Sequence, residues 1–522
     1  MAILELEVFY HGMLSVNGLT SVNPYLKKTP STVNPNYGTR PDTFEPSVLA
    51  SFSDLMKSKF SEKELVRLSK KTPEVQQNAE ILADTKLSGA NILENLFFNS
   101  TAKVDAKKLA NKVNELDKLS GENLSEIRLD VNKFDNNVFD ITAVDKNKNK
   151  KTVTLDENFN TRAVQDVITK KENGKSFEVK TSKDFKTNIS SKVISEIKGD
   201  KKIPVSEILV TKDFKEYSEP SDIKGIFNTK RIYNNGEVEQ LSIGKIDKNT
   251  GVLTVKKDFK SLDGTRTQFE LTEDKNGNRN SEYKITDKSG KTLLSESKSF
   301  KVIDKNTFVS AKNGESYEIK YSNDDQNLNI KNQKTNENKE INLYSYVFGN
   351  SSKLIPVLKK LSGDELMKMG NNVTRLFQTD DDDDSRYFYH PGRKDVTTCA
   401  DEYILLHELG HSKDMKNYDI TTFKTKDATE NTLISANENV LKTYHAEKEL
   451  FNKNFSNTQR EHIDYFLNSL GHSSGKNGAV KESLAEINAI LNTYNSVEKY
   501  SLRSEYLQRY FPKTVAHIAQ FL

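Results

Sequence analysis

Ala400-Asp401-Glu402-Tyr403-Ile404-Leu405-Leu406-His407-Glu408-Leu409-Gly410-His411-Ser412-Lys413-Asp414-Met415 is the stretch from which the rest of the chain is read. It contains no proline, and Tyr403, Ile404, Leu405, Leu406 and Leu409 surround the two histidines with apolar side chains. The pattern predicts a largely buried helix, with Thr397 or Thr398 as N-cap. Helical positions four apart lie on one face about 6 Å from each other. His407 and His411 can therefore present two imidazole nitrogens to one zinc ion, while Glu408 reaches the water that the zinc activates. Zinc brings the pKa of such a water towards about 7 and polarises a peptide carbonyl. Glu408 would then act as general base, taking the proton and later delivering it to the leaving amine. The alternative is a buried helix whose histidines only cap or fill a core.

A third ligand has to come from elsewhere. The metzincin pattern needs Gly at position 414 and His or Asp at 417, whereas Asp414 and Asn417 stand there. Ala479-Val480-Lys481-Glu482-Ser483-Leu484-Ala485-Glu486-Ile487-Asn488-Ala489 offers two glutamates four apart on a helix whose small residues permit close approach. Glu482 is assigned as the ligand and Glu486 as the acceptor that orients a histidine ring N–H, with Asp414 as a further outer support. The reverse assignment of the two glutamates, or two solvated carboxylates, are the alternatives.

These segments, with His462-Ile463-Asp464-Tyr465-Phe466 and Phe511-Pro512-Lys513-Thr514, resemble in content and order the anthrax lethal factor family of zinc metalloproteases, to which Pro-Pro endopeptidases are also similar. The resemblance covers the C-terminal third, from near Ser351 to Leu522. It implies a mostly helical zincin-type (gluzincin) peptidase domain holding one zinc per chain on His407, His411 and Glu482, with Glu408 as base. The family usually has an oxyanion-stabilising tyrosine some seven residues before the ligand glutamate, and Gly475 stands there. His472 is the candidate donor in its place, with Tyr465 and Tyr494 as alternatives.

Upstream, the period of the apolar residues changes. Residues 1–44 read as an irregular arm, and 45–124 as a helical unit with Leu49, Phe52, Leu55 and Met56 at helical spacing. Between 125 and 345 the period is two, as in Tyr317-Glu318-Ile319-Lys320-Tyr321. Turns at Asn235-Gly236, Thr250-Gly251, Asp263-Gly264, Asn276-Gly277, Ser289-Gly290 and Asn313-Gly314 punctuate it, so a long antiparallel meander is predicted, read as a β-rich spacer or binding scaffold, with degenerate repeats as the alternative. The peptidase domain is placed at 350–522, with strand candidates Val373–Phe377 and Arg386–Tyr389 and an extra helix from Asn431 to Phe455. Arg386–Tyr389 is either an edge strand for an extended substrate or an ordinary strand. The whole is an α+β multidomain chain.

The 78 basic and 75 acidic residues nearly cancel, which excludes the basic footprint of a nucleic-acid binder. A single cysteine, Cys399, excludes a disulfide framework. No stretch reaches the roughly 20 apolar residues of a membrane span. The acidic start, Met1-Ala2-Ile3-Leu4-Glu5-Leu6-Glu7, is not a signal peptide, so a secreted, toxin-like bacterial protease would leave by another route, and a cytoplasmic location is the alternative. The expected partner is a protein or peptide substrate. Asp380 to Asp384 reads as a solvated loop. The rival function is a protease-like binding or structural protein without activity.

Overall fold

The computed structural model describes residues 56, 60–88, 96, 105–120, 124–131, 138–199, 201–379, 387–415, 433–454, 467, 477–493 and 501–522. The irregular arm expected over 1–44 lies outside them, as do His472, Tyr465, Tyr494 and Asp380 to Asp384.

One antiparallel meander runs from β2 (Leu124–Val131) to β19 (Asn338–Asn342), each strand pairing with the next in sequence order. A two-residue strand, β1 (Leu87–Ser88), adds to β2 in parallel. The strand tips explain why this polar sequence folds so regularly. In Asp145-Lys146-Asn147-Lys148-Asn149 the aspartate Oδ1 accepts the N–H groups of Asn147 and Asn149, each at 2.8 Å. The Asn149 amide then donates to Oδ2 at 2.9 Å. Asp274-Lys275-Asn276-Gly277-Asn278 repeats the same bonds, and so does Asp156-Glu157-Asn158-Phe159-Asn160. The fourth residue of each tip has positive φ: 63° at Lys148, 59° at Phe159 and 83° at Gly277. The aspartate satisfies the turn's amides locally and the left-handed residue sends the chain back, so each tip is specified within five residues, and at Phe159 the ring also stacks on Phe139 with centroids 5.1 Å apart. Of these three tips the turn pattern had marked one, Asn276-Gly277.

Helices α1 (Glu62–Leu68), α2 (Pro73–Ala83) and α3 (Ala106–Ser120) precede the sheet. A capping box between Ser61 and Glu64 opens α1, and α3 packs on β2 and on β3 (Phe139–Asp145). After β19 come α4 (Leu343–Tyr346), α5 (Ser351–Leu358), α6 (Gly363–Asn372), α7 (Glu402–Asp414), α8 (Glu438–Asn454), α9 (Gly478–Asn492), α10 (Ser501–Tyr510) and α11 (Pro512–Ala519). A four-stranded sheet sits among them: β20 (Val347–Phe348), β21 (Arg375–Gln378), β23 (Asp395–Thr398) and β22 (Phe388–His390), in that spatial order, with only β22 antiparallel. The fold is therefore α+β with a large β-sheet and a helical C-terminal region. Among the described residues no helix is long and apolar enough to cross a membrane.

Secondary structure changes near Ser351 as expected, yet Met56 to Leu522 is one compact unit. Polar residues of the meander cause this. Glu207, Glu216 and Lys298 each stand two positions from an apolar residue of their own strand, Leu209, Phe214 and Phe300 in turn, so each shares that residue's face, and there it meets the helices. Glu207 of β8 (Lys201–Val210) accepts from Tyr506 Oη at 2.8 Å. Glu216 of β9 (Phe214–Pro220) pairs with Arg509 at 2.6 Å. Lys298 of β15 (Thr292–Val302) donates to the Leu491 carbonyl at the C-terminal end of α9, at 2.5 Å, where a cation also complements the helix dipole. Gly363 lies so close to the sheet that an added Cβ would meet Tyr317 Cβ at 2.2 Å.

Two expectations follow. Residues 350–522 expressed alone should fail to fold, because the hydrophobic core that Leu354, Leu366 and Met369 share with Phe308, Ile319 and Ile330 of the meander would be opened to water. A soluble fragment with the dichroism and sharp melting of a native helical domain would refute this. Burial pushes the Glu207 pKa up to about 7, with the Tyr506 hydrogen bond opposing and Glu216 adding to the rise. A carboxyl raised in the fold contributes stability that is present below its unfolded pKa of about 4.5 and is lost as pH rises through about 7. Glu207→Gln, which stays neutral, should match wild type near pH 4.5 and exceed it above pH 7, by at most on the order of 3 kcal/mol. Urea denaturation across that range measures the difference, and parallel profiles would contradict it.

Candidate metal centre

Helix α7 begins later than the sequence suggested. Asp401 is its N-cap, its side chain accepting from Tyr403 N at 2.9 Å and Ile404 N at 3.2 Å. Thr397 and Thr398 belong to β23, paired with β21 and, at Thr397, with β22. Sheet pairing occupies them, so the aspartate further on satisfies the free amides.

Helix α9 lies directly on α7. A Cβ at Gly410 would meet Ala485 Cα at 2.6 Å and Asn488 Cβ at 3.0 Å, so glycine is needed at the crossing. Asn488 Nδ2 donates to the Leu406 carbonyl at 2.6 Å. Lys413, fully buried, donates to both Glu365 oxygens and to Asn488 Oδ1, at 2.6 to 2.7 Å. Gly410→Ala would gain helix propensity of about 1 kcal/mol but must push the helices apart. A net loss of about 1–3 kcal/mol of stability is expected, together with weaker metal binding. Chemical denaturation and chelator competition measure the two, and an unchanged metal affinity would show that the crossing distance is not critical.

This crossing brings His407, His411 and Glu482 together. Glu482 Oε2 lies 3.4 Å from His407 Nε2 and 3.5 Å from His411 Nε2. The imidazole rings are 5.1 Å apart and nearly perpendicular at 84°. All three side chains are buried. Among the described residues this is the only group of three or more His, Cys, Asp or Glu side chains whose ligand atoms converge closely enough for a metal ion.

The surrounding charges are fixed by geometry. His407 Nδ1 is 3.1 Å from Glu486 Oε2. Burial would lower the His407 pKa, but its hydrogen bonds to Glu482 and Glu486 outweigh that and push it up to about 10. Burial would raise Glu482, yet His411 and His407 hold it well below the usual carboxylate range. Likewise the Arg503 guanidinium and His407 hold Glu486 down at about 2 against its burial. Two buried carboxylates facing a pair of imidazoles suit a divalent cation, which supplies the balancing positive charge.

Glu408 is buried beside the histidines, and burial raises its pKa, with His411 and His407 opposing. The backbone N–H of Tyr389, on the edge strand β22, bonds to its carboxylate, while Oε2 has no hydrogen-bond partner among the described residues. Asp414 does not hold a histidine ring: it accepts from Ser435 N and Oγ, both at 2.8 Å, and so fixes the turn leading to α8. At Cys399 burial pushes the thiol pKa up, the opposite of a reactive thiolate.

Sequence reasoning missed the residues that hold Glu486. Tyr403 Oη and Ser504 Oγ hydrogen-bond it, and Arg503 clamps it through Nε at 3.3 Å and Nη2 at 3.0 Å. Tyr403 could have been found, since it lies four residues before His407 on the same helical face. Nothing in the sequence marks Arg503 or Ser504. Comparison with protein-family models, curated proteins and solved structures finds no match to this chain.

Proposed function

We propose that this chain is a zinc-dependent endopeptidase of zincin type, as its resemblance to the anthrax lethal factor family suggests. The observation that carries this reading is the convergence of two imidazole nitrogens and one carboxylate oxygen beside a buried Glu408, one of whose oxygens has no hydrogen-bond partner among the described residues. Two nitrogens and one oxygen suit zinc better than calcium or magnesium, which prefer all-oxygen shells. Zinc bonds of about 2.0–2.2 Å in a tetrahedron space their ligand atoms about 3.3–3.6 Å apart, which agrees with the 3.4 and 3.5 Å found.

His407, His411 and Glu482 would hold the zinc, which supplies Lewis-acid polarisation of a carbonyl and a more acidic water. Glu408 takes the proton from the attacking water at Oε2 and returns it to the leaving amine. Its other bond, from Tyr389 N–H, limits where the carboxylate can turn. Strand β22 is the sheet edge next to this base and provides backbone groups along which an extended substrate can pair. His472 is the residue proposed to donate to the oxyanion.

Cleavage of a peptide library should disappear with a strong zinc chelator and return when Zn2+ is restored. Cleavage indifferent to the chelator would overturn the assignment.

A further inference from the structure

Helix α10 makes contact with both the large sheet and the metal centre. Its first half reaches the centre: Arg503 clamps both Glu486 oxygens, Ser504 Oγ donates to Oε1 at 3.2 Å, and Glu486 in turn meets His407 Nδ1 at 3.1 Å. Its second half is held by the meander. Tyr506 donates to Glu207 at 2.8 Å, and Arg509 pairs with Glu216 at 2.6 Å. Thr267, on β13 (Arg266–Glu273), donates to the Gln508 carbonyl at 3.3 Å. Glu505 accepts from Thr229 of β10 (Phe227–Tyr233) at 3.3 Å and from Arg509 at 2.9 Å.

From this geometry we infer that Arg503 is a positioning residue for the metal ligand His407, acting through Glu486, and that the large sheet sets its place by gripping α10. The inference rests on the metalloprotease reading. The physical reason is orientation. An imidazole binds a metal tightly only when its ring plane points the nitrogen lone pair at the ion, and its other N–H fixes that plane. Glu486 can fix it only if its own carboxylate cannot rotate. The two-pronged contact from Arg503 prevents that rotation, because a planar guanidinium holds a carboxylate in one plane. Arg503 stays in place only while α10 does, and the sheet's bonds to Tyr506, Gln508 and Arg509 hold that helix.

The test is a double-mutant cycle read out as Zn2+ affinity by chelator competition on the full chain, with melting of the metal-free proteins recorded alongside. Arg503→Gln should weaken Zn2+ binding by about 10- to 100-fold, the range typical for groups behind a ligating histidine. Arg503→Lys, which keeps the charge but loses the fork, should fall between it and wild type. In a Glu486→Gln background, Arg503→Gln should have little further effect. Arg509→Met, distant in sequence from every proposed ligand, should also weaken Zn2+ binding, by a smaller factor.

Additive effects of Arg503→Gln and Glu486→Gln, or full Zn2+ affinity in a folded Arg503→Gln protein, would overturn the inference. If Arg503→Gln does not fold, the Lys variant decides, and an affinity equal to wild type counts against the proposal. A wild type that binds no Zn2+ would refute the metalloprotease reading itself, which is a different result from tight binding by both proteins.

Discussion

Replacing Glu408 by Gln is expected to lower kcat/KM for peptide cleavage by about 10²- to 10⁴-fold while leaving the bound metal in place. The side chain is buried and is not among the converging ligand atoms, so its loss should not open the metal centre. Gln keeps the shape and the oxygen that can accept the Tyr389 N–H, but an amide cannot take a proton from water. The loss should therefore appear in kcat, with KM little changed. Steady-state kinetics on a cleaved peptide, with metal content measured on the same samples, separates the outcomes. Lost activity with retained metal fits a general base. Equal loss of both would mean that Glu408 holds the site together, and unimpaired cleavage would remove it from the mechanism.

The second large effect is expected at Glu482. Glu482→Ala removes the one carboxylate oxygen facing both imidazole nitrogens and leaves a two-histidine site. Metal content should fall from near one per chain to well below it, and cleavage should fall with it. Stability provides a second readout. A ligand that binds only the folded form adds about 4.1 kcal/mol at a thousand times its Kd, so Zn2+ should raise the Tm of the wild type and not of the variant. A variant that keeps stoichiometric zinc would place the third ligand elsewhere.

The sequence was most informative where local chemistry decides structure. The spacing of His407 and His411, and of Glu482 and Glu486, follows from helical geometry, so their faces can be read before any helix is seen. The hairpin tips are equally local, since an aspartate two residues before its amide partner and a left-handed fourth residue form the turn from within five positions, yet of the three only Asn276-Gly277 was marked by the glycine pattern. What could not be read are the contacts between distant segments. Glu207, Glu216 and Lys298 share a strand face with Leu209, Phe214 and Phe300, and alternation does not say that α9 and α10 would supply their polar partners. Arg503 lies on α10, whose Leu502, Tyr506, Leu507 and Tyr510 mark the apolar positions but give no sign that the residue beside them meets Glu486. The misplaced N-cap has a similar cause, because β23 pairs through residues as distant as Arg375 and so removes Thr397 and Thr398 from the helix.

Diffraction recorded on both sides of the zinc absorption edge tests the central claim most directly. The expected result is a single anomalous peak about 2.0–2.2 Å from His407 Nε2, His411 Nε2 and a Glu482 carboxylate oxygen. Crystals grown with Zn2+ that show no peak between those three side chains would contradict it.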